Sequence, residues 1–422
     1  MYRYTSAGDD APAAGLAFRR DAPTVLSYAT LVCFTFWLYA FGPALSLLRA
    51  ELHFSYTLIG VHTAIWSGGS IVAGAVFPAA ARRFSRATLL WSSAVAAAAG
   101  AALFVAGRGV EGTLAGAGVL GLGGTMLLTV VQAVLSDRHG ARRERALGEA
   151  NIGAAACAVL APLLLGALAA GPLGWRAAFA LPALGLLVLH LRYRRLVLPV
   201  PAARRTPGPA RADGRLPRAA RLFTGLVAGS MAVEFCLVYF GAEQLRAIGL
   251  SPAVAATAMS GHCLGLLIGR VGGVGATRRP GRTAPLLYAS LAVTGGGFAL
   301  FWLTSSPPLA VAGLFVAGVG VANLYPLALA LALGAAAGRE DEVNARTQLL
   351  GGVVVVVAPY SLGLLADHLG LVAAFGVEPA LIVACLLLLI AGTRSGGVTP
   401  RARGLTPAAA GEGRRDDPFP QS

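Results

Sequence analysis

The sequence contains no lysine, so all 34 of its basic residues are arginine. A Walker A loop needs Gly-Lys-Ser or Gly-Lys-Thr to hold nucleotide phosphates, and the chain therefore has no P-loop of its own. The signatures His-Glu-x-x-His, Ser-x-x-Lys and Gly-x-Ser-x-Gly are absent as well. These absences argue against an ATP-driven pump and against an enzyme, and we expect no catalytic residues.

Charged residues are also scarce, at 13% of the chain, whereas soluble domains carry about 25%. Hydrophobic residues make up 56% of the sequence, and the mean hydropathy is +0.70. Such a chain cannot cover itself with water-facing side chains, so a lipid bilayer must surround most of it. Because one helical crossing takes about 20 residues, the length predicts an all-α polytopic membrane protein with twelve transmembrane helices.

Cysteine is rare, and no pair of cysteines has the spacing of metal ligands. The five cysteines lie inside apolar runs, where they are typical of small packing residues: Cys33, Cys157, Cys236, Cys263 and Cys385. We therefore expect no metal and no cofactor. The segment 1–23 is polar and contains no short apolar core, so we expect no removable signal peptide.

Apolar runs separated by short polar segments predict the positions of the twelve helices. They fall near 24–48, 57–80, 87–106, 112–136, 146–170, 175–196, 222–246, 252–275, 283–304, 309–335, 346–366 and 371–393. The predicted organisation is a cytoplasmic segment 1–23, a six-helix bundle 24–196, a cytoplasmic linker 197–221, a second bundle 222–393 and a cytoplasmic tail 394–422.

The arginines are distributed unequally between the two sets of loops. On the side of the termini and the long middle segment there are 29, and on the opposite side there are four, while Arg270 lies inside the eighth predicted helix. The positive-inside rule then places both termini in the cytoplasm and the protein in the cytoplasmic (inner) membrane. This distribution also explains the net charge of +15 without a nucleic-acid partner.

The two halves of the sequence repeat each other at an offset of 196 or 197 residues. The arginine-rich loop at 82–86 matches that at 278–282, and the sequence GlyTrpArgAlaAlaPhe at 174 matches GlyLeuValAlaAlaPhe at 370. Three glycines of the fourth helix match three of the tenth, and Pro162 and Gly166 match Pro359 and Gly363. Parallel repeats of this kind are typical of secondary transporters that work by alternating access.

Six helices, a long basic loop and six more helices in parallel repeat resemble the major facilitator superfamily over residues 24–393. The GlyTrpArgAlaAlaPhe sequence is similar to the family's usual entry into its sixth helix. The basic loops occupy the places of the family motif Gly-x-x-x-Asp-Arg-x-Gly-Arg, although the acidic position holds Arg82 in one copy and Arg278 in the other. The resemblance implies that helices 1, 4, 7 and 10 line a central cavity.

Polar residues on these helices are the predicted solute or proton contacts. One face of the fourth helix carries Thr125, Thr129 and Gln132. The alternative for the two threonines is that their hydroxyls donate hydrogen bonds to backbone carbonyls of their own helix. The other predicted contacts are Thr35 and Tyr39 on the first helix, His262 on the eighth, and Asn323 and Tyr325 beside Pro326 on the tenth.

Glu234 is the sharpest prediction, because it lies at the midpoint of the seventh predicted helix. A charge at the bilayer centre costs about 2.5–3.5 kcal/mol on insertion scales, so Glu234 should face the cavity or a partner. A carboxyl group that is neutral in one state and charged in another is what proton coupling needs. The alternative is a structural contact with Arg270 or His262. Glu243, Glu149 and Glu378 are weaker predictions, since they lie near a membrane face or on a peripheral helix.

A cytoplasmic gate is predicted between basic and acidic clusters that the repeat brings together. We expect the first loop to face the start of the eleventh helix and the second loop to face the start of the fifth. The residues are Arg82, Arg83, Arg86, Arg278, Arg279, Arg282, Glu144, Glu149, Asp341 and Glu342. The alternative is that all of them are solvated charges without fixed partners, since exposed pairs contribute only about 0–1 kcal/mol each.

The sequence therefore predicts a monomeric secondary active transporter that moves a small-molecule solute across the bilayer, coupled to protons. Within transport, the alternatives are a facilitated uniporter and a sugar-type uptake permease. From other classes, a membrane-embedded enzyme and a channel remain as alternatives.

Overall fold

The structure is a computed structural model that describes residues 18–199, 215–276, 281–336 and 338–395. Most of the predicted N-terminal segment, the middle of the linker and the C-terminal tail therefore lie outside the described residues, as do Arg278 and Arg279. Where the linker is described, its last part is already helical, since the seventh helix begins at Arg218.

Twelve helices make up the described part of the chain, as predicted. They are α1 (Ala22–Leu52), α2 (Tyr56–Arg83), α3 (Arg86–Ala106), α4 (Val110–His139), α5 (Arg143–Ala169), α6 (Arg176–Tyr193), α7 (Arg218–Ala247), α8 (Pro252–Ala276), α9 (Thr283–Leu303), α10 (Pro307–Gly334), α11 (Glu340–Leu369) and α12 (Leu371–Ser395). Among the described residues, eleven helices are long and apolar enough to cross a membrane. The exception, α6, has 18 residues and spans about 27 Å at 1.5 Å per residue.

Several helices extend further into polar sequence than the apolar runs predict, because backbone hydrogen bonding continues where hydropathy falls. The largest difference is at α11, which begins at Glu340 rather than near 346. Side chains cap three of the early helices: Asp21 accepts a hydrogen bond from the Thr24 N–H, and Ser55 and Ser85 do the same for α2 and α3. Such caps satisfy N–H groups that the helix itself leaves unpaired.

The repeat is visible in how closely the helices cross. A Cβ on Gly116 of α4 would overlap the Phe104 backbone nitrogen of α3, and a Cβ on Gly313 of α10 would overlap the Phe301 backbone nitrogen of α9. The two glycines are separated by the repeat offset, and so are their two partners. Glycine permits this approach because it has no side chain. The helix crossings within each half are therefore built in the same way, as the sequence offset predicts.

The first six helices pack mainly on one another, and so do the last six. The two halves meet where α2 packs on α11, α5 on α8, and α1 on α7 and α8. We call the membrane face that contains the start of α1 and the end of α12 the termini side, and the opposite face the distal side.

Two seams close the distal side, one on each flank. In the first, Gly166 of α5 lies directly against Thr257 of α8. In the second, Gly363 of α11 lies against Tyr56 of α2, where an added Cβ would be 2.5 Å from the Tyr56 carbonyl oxygen. Since Gly166 and Gly363 are separated by the repeat offset, the seams are related by the same pseudo-two-fold axis as the halves.

Candidate functional site

A cavity of about 490 Å³ lies between the two halves. Its described lining comes from α5, α7, α8 and α10 and consists of Asn151, Glu234, Arg270, Gly273, Ala322, Asn323, Tyr325, Pro326 and Leu327. Asn151 is in the third turn of α5, and Gly273 is in the last turn of α8, so both lie toward the termini side. The cavity therefore extends from the centre of the protein toward the termini side, while the seams close the distal side.

Glu234 is half-buried at the middle of α7 and forms part of the cavity wall. Arg270 of α8 and Tyr39 of α1 are close enough to interact electrostatically with its carboxylate, and the Tyr39 hydroxyl also interacts with the Arg270 guanidinium. The structure thus places Glu234 and Tyr39, which are both predicted solute or proton contacts, beside Arg270. The sequence prediction included Arg270 only as an alternative structural partner of Glu234.

The tenth helix is interrupted beside the cavity, between its segments Pro307–Val321 and Leu324–Gly334. Pro326 has no N–H to donate to the carbonyl four residues earlier, at Ala322. The Asn323 side-chain amide donates a hydrogen bond of 2.9 Å to the Gly269 carbonyl oxygen of α8. Asn323 and the half-buried Tyr325, two of the predicted solute or proton contacts, both line the cavity.

The predicted polar face of α4 is divided between different environments. The Thr125 hydroxyl donates to the Ser70 hydroxyl of α2 at 2.8 Å, and the Thr129 hydroxyl donates to the Thr125 carbonyl oxygen of its own helix at 2.8 Å. Gln132 is exposed, and Thr35 of α1 is buried. These four predicted contacts are not among the residues that line the cavity.

His262 does not line the cavity either, because it is fully buried between α8 and α10. Its Nδ1 atom is 3.4 Å from the Leu314 carbonyl oxygen, and its backbone is the contact point for Gly318. In this conformation the histidine packs two helices of the second half together.

On the termini side, the predicted gate residues have partners within their own half. Arg86 binds Asp137 at 2.9 Å, Glu149 binds Arg20 at 2.8 Å, and Glu342 binds two neighbouring arginines. Arg82, Arg83, Glu144 and Arg282 are exposed. Asp341 lies in α11, but its side chain is outside the described part, so the gate stays a prediction for a conformation in which this side is closed.

A buried charge cluster on the distal side was not predicted. The Glu243 side chain of α7 is only 2% exposed, and its carboxylate binds Arg49 of α1 at 3.1 Å and Arg246 of α7 at 2.8 Å. Arg246 also donates to the Ser46 carbonyl oxygen of α1 at 3.2 Å. The two arginines are separated by the repeat offset, which is the sequence signal that would have identified them.

A second polar contact crosses the α2–α11 seam. The Asp367 carboxylate accepts hydrogen bonds from the backbone N–H groups of Tyr56 at 2.8 Å and Thr57 at 2.7 Å. These N–H groups begin α2, where the helix dipole favours a negative charge. At the other seam the position that corresponds to Asp367 in the repeat is Ala170, so only one seam carries a carboxylate.

Comparisons with known proteins agree with this architecture. The sequence profile of the Major Facilitator Superfamily matches residues 26–340. A solved D-xylose-proton symporter superposes with a TM-score of 0.71 at 16% identity, covering 90% of this chain and 98% of its own. No curated protein matches the sequence.

Other solved structures are similar at comparable distance. A bacterial homologue of the human lysosomal transporter Spinster, in an inward-facing and unoccupied conformation, has a TM-score of 0.70 at 15% identity, covering 89% of this chain and 96% of its own. A point mutant of the nucleoside transporter NupG has a TM-score of 0.69 at 14% identity, covering 88% and 98%. The twelve-helix fold, the internal repeat and the match over residues 26–340 establish that the chain belongs to the major facilitator superfamily.

Proposed function

We propose that the protein moves a small solute across the cytoplasmic membrane by alternating access, coupled to protons through Glu234. The observation that carries the proposal is a central cavity with an ionisable pair, Glu234 and Arg270, at the level where the two halves meet. Intramembrane ionisable residues that face a cavity are typical of substrate and proton pathways.

Alternating access is supported by the asymmetry between the two sides. The inter-half hydrogen bonds and ion pairs of the described residues cluster on the distal side, at Glu243 and Asp367. Toward the termini side the cavity extends between the halves. In the reverse conformation the distal contacts separate, and the predicted arginine and acidic clusters of the termini side come together to form the gate.

Proton coupling is tested by Glu234→Gln, which keeps the shape of the side chain and removes its titration. In proteoliposomes with an imposed pH gradient, we expect this variant to lose pH-driven accumulation while still exchanging solute. Glu111→Gln is the matched control, because that carboxylate is exposed at the start of α4, outside both the cavity and the predicted gate. Normal pH-driven accumulation by Glu234→Gln, with normal expression, would show that Glu234 is not the coupling residue and would favour the uniporter.

We propose that both termini and the 197–221 segment lie in the cytoplasm, since 29 arginines lie on that side and four on the other. A cysteine introduced at a position between 205 and 215 should resist a membrane-impermeant maleimide in intact cells, whereas one near Ser306 should react. Equal labelling at both places would overturn the orientation.

We further propose that the protein works as a monomer, that it catalyses no covalent reaction and that it binds no nucleic acid. Residues of both halves line the central cavity in the described part of the chain, which supports a pathway within one chain. Light scattering of the purified protein at the mass of a single chain plus detergent would agree with this, and a stable dimer would contradict it.

A further inference from the structure

Arg270 is the one cation among the described residues that line the cavity. It lies within a membrane-spanning helix, and yet its side chain is exposed, because the cavity reaches it. A charged side chain at membrane depth is costly and is retained where it faces a cavity or a partner. Long helical side chains lean toward the N-terminus of their helix, which for α8 is toward the bilayer centre, where Glu234 and Tyr39 lie.

The charges of the cavity are few. Among its described lining residues only Glu234 and Arg270 are charged, and the rest are amides, a tyrosine and apolar groups. A guanidinium carries five N–H donors in a planar fork. Glu234 acts on the Arg270 guanidinium through its charge, and no ion pair or hydrogen bond joins the two side chains in the described part of the chain. The same fork binds a second carboxylate in a bidentate manner, with charge-assisted hydrogen bonds.

We propose that the transported solute is a small organic anion whose carboxylate binds Arg270, an assignment that rests on the proposed transport function. Its body lies against Ala322, Pro326 and Leu327, with Tyr325 and Asn323 at the polar edge. A volume of about 490 Å³ is in the range of pockets that enclose small ligands.

The arrangement also determines how the solute and the proton are linked. A solute carboxylate on Arg270 competes with Glu234 for the same cation, and Glu234 then takes up one proton in place of the lost attraction. One anion and one proton thus enter the site together, without net charge. The other titratable groups that face Glu234 are Tyr39 of α1, Tyr239 of α7 and Cys263 of α8, and Tyr325 of α10 lines the same cavity.

The test uses matched ligand pairs on the purified full-length protein in detergent. Monocarboxylates from acetate to phenylacetate are each compared with their primary amides, which have nearly the same shape and no charge, and the shift of the unfolding temperature is measured. We expect at least one carboxylate to stabilise the wild type, while its amide does not. Arg270→Gln should weaken this binding by about tenfold or more, since a hydrogen bond to a charged group is lost.

Three further variants separate binding from folding. Arg346→Gln removes an arginine outside the cavity and should leave the carboxylate shift unchanged. Arg270→Lys keeps the charge but not the fork, and should bind with an affinity between those of the wild type and Arg270→Gln. Glu234→Gln should bind the carboxylate more tightly and with less dependence on pH, because a neutral amide competes weakly for the arginine.

Three results would overturn the assignment: stabilisation by the amides equal to that by the carboxylates, an unchanged shift in Arg270→Gln, or no shift by any carboxylate. Pairs of spin labels that report movement of the two halves distinguish these failures from a failure of transport. If amides bind and the halves still alternate, the transport function stands and only the anionic class of solute is wrong.

Discussion

Glu243 and Glu342 are each held by two arginines, but they lie at opposite ends of the molecule. Glu243 is on the distal side and connects the halves, since Arg49 belongs to the first half and Arg246 to the second. Glu342 is on the termini side, and both of its arginines belong to its own half. The exposed fraction differs accordingly, at 2% for Glu243 and 28% for Glu342.

The difference shows that a cluster of charges can hold the two halves together only where it is buried and its members come from both halves. Removing one partner of a buried ion pair leaves a desolvated charge and costs about 3–5 kcal/mol, whereas an exposed pair contributes about 0–1 kcal/mol. In this conformation only the distal cluster, among the described residues, meets both conditions for locking the halves, burial and a crossing between them. The ion pairs of the termini-side clusters each lie within one half.

Glu243→Gln should produce the largest effect. It leaves Arg49 and Arg246 facing a neutral amide, and we expect a loss of about 3 kcal/mol, at the low end for a buried pair because the arginines remain 22–23% exposed. The distal side should open. Spin labels at the exposed distal positions Arg108 and Ser305 should then show a longer distance by double electron–electron resonance.

Glu342→Gln is the control for this variant, because it also removes a carboxylate from between two arginines. We expect a change in stability of less than about 1 kcal/mol and no change in the distal distance. Equal effects of the two variants would mean that the distal cluster does not hold the halves together.

Gly60→Ala tests the α2–α11 seam through packing instead of charge. The added Cβ would be 2.6 Å from the Tyr360 Cα, so the helices must separate, at a cost of about 1–3 kcal/mol. A Cβ added at Gly68 of the same helix would have no neighbouring atom within 4 Å. Gly68→Ala should therefore leave the stability unchanged or raise it by up to about 1 kcal/mol. The unfolding temperature should therefore fall in Gly60→Ala and stay the same or rise in Gly68→Ala. An equal fall in both variants would contradict the close approach of α2 and α11 at Gly60.

Asp367→Asn tests the difference between the two seams. Loss of the negative charge at the start of α2 should cost about 0.3–1 kcal/mol. Hydrogen exchange measured by mass spectrometry should become faster at Tyr56 and Thr57 but not at Ala253 of the other seam, which has no carboxylate. Faster exchange at both seams would mean that they open as one unit.

Asp21→Ala should leave the contacts between the halves unchanged, because the contacts of Asp21 on the termini side lie within the first half. Partial burial raises the pKa of Asp21, but hydrogen bonds from Thr24 and the ion pair with Arg138 outweigh it and hold the pKa below its ordinary value. Its contribution, about 1 kcal/mol, is present above the pKa of the unfolded chain, near 4, and is lost as pH falls through the folded value. The difference in unfolding temperature between the wild type and Asp21→Ala should shrink on acidification, and a growing difference would contradict this account.

The fold could be predicted from the sequence, because each signal has a physical cause. The length of the apolar runs and the distribution of arginine follow from the bilayer, and the internal repeat follows from the pseudo-two-fold axis. Glu234 could be placed in a cavity wall from its depth in α7, and Asn323 from its position near Pro326. The ends of the helices were predicted less well. The first turns of α11, which begins at Glu340, are polar, so hydropathy alone does not identify them as helical.

The pairing of charges could not be predicted, because it depends on which conformation the halves adopt and on side chains far apart in sequence. Glu149 binds Arg20 rather than a residue of the second half. Glu378, a weaker prediction because of its peripheral helix, is completely buried, and neither carboxylate oxygen has a hydrogen-bonding partner in the described part of the chain. Its burial results from the packing of α12 on α7, for which the sequence contains no local signal.

The interruption in α10 has a mechanical consequence. Its repeat partner α4 is an unbroken rod of 30 residues, whereas α10 is a rod with a joint at Ala322 and Asn323. The segment before the joint packs closely on α9 at Gly313, whereas the eleven-residue arm Leu324–Gly334 packs mainly on α7. In the proposed transport cycle, a solute bound at Asn323 or Tyr325 would act next to this joint, and bending there would move the far end of the arm, on the termini side, further than the joint itself.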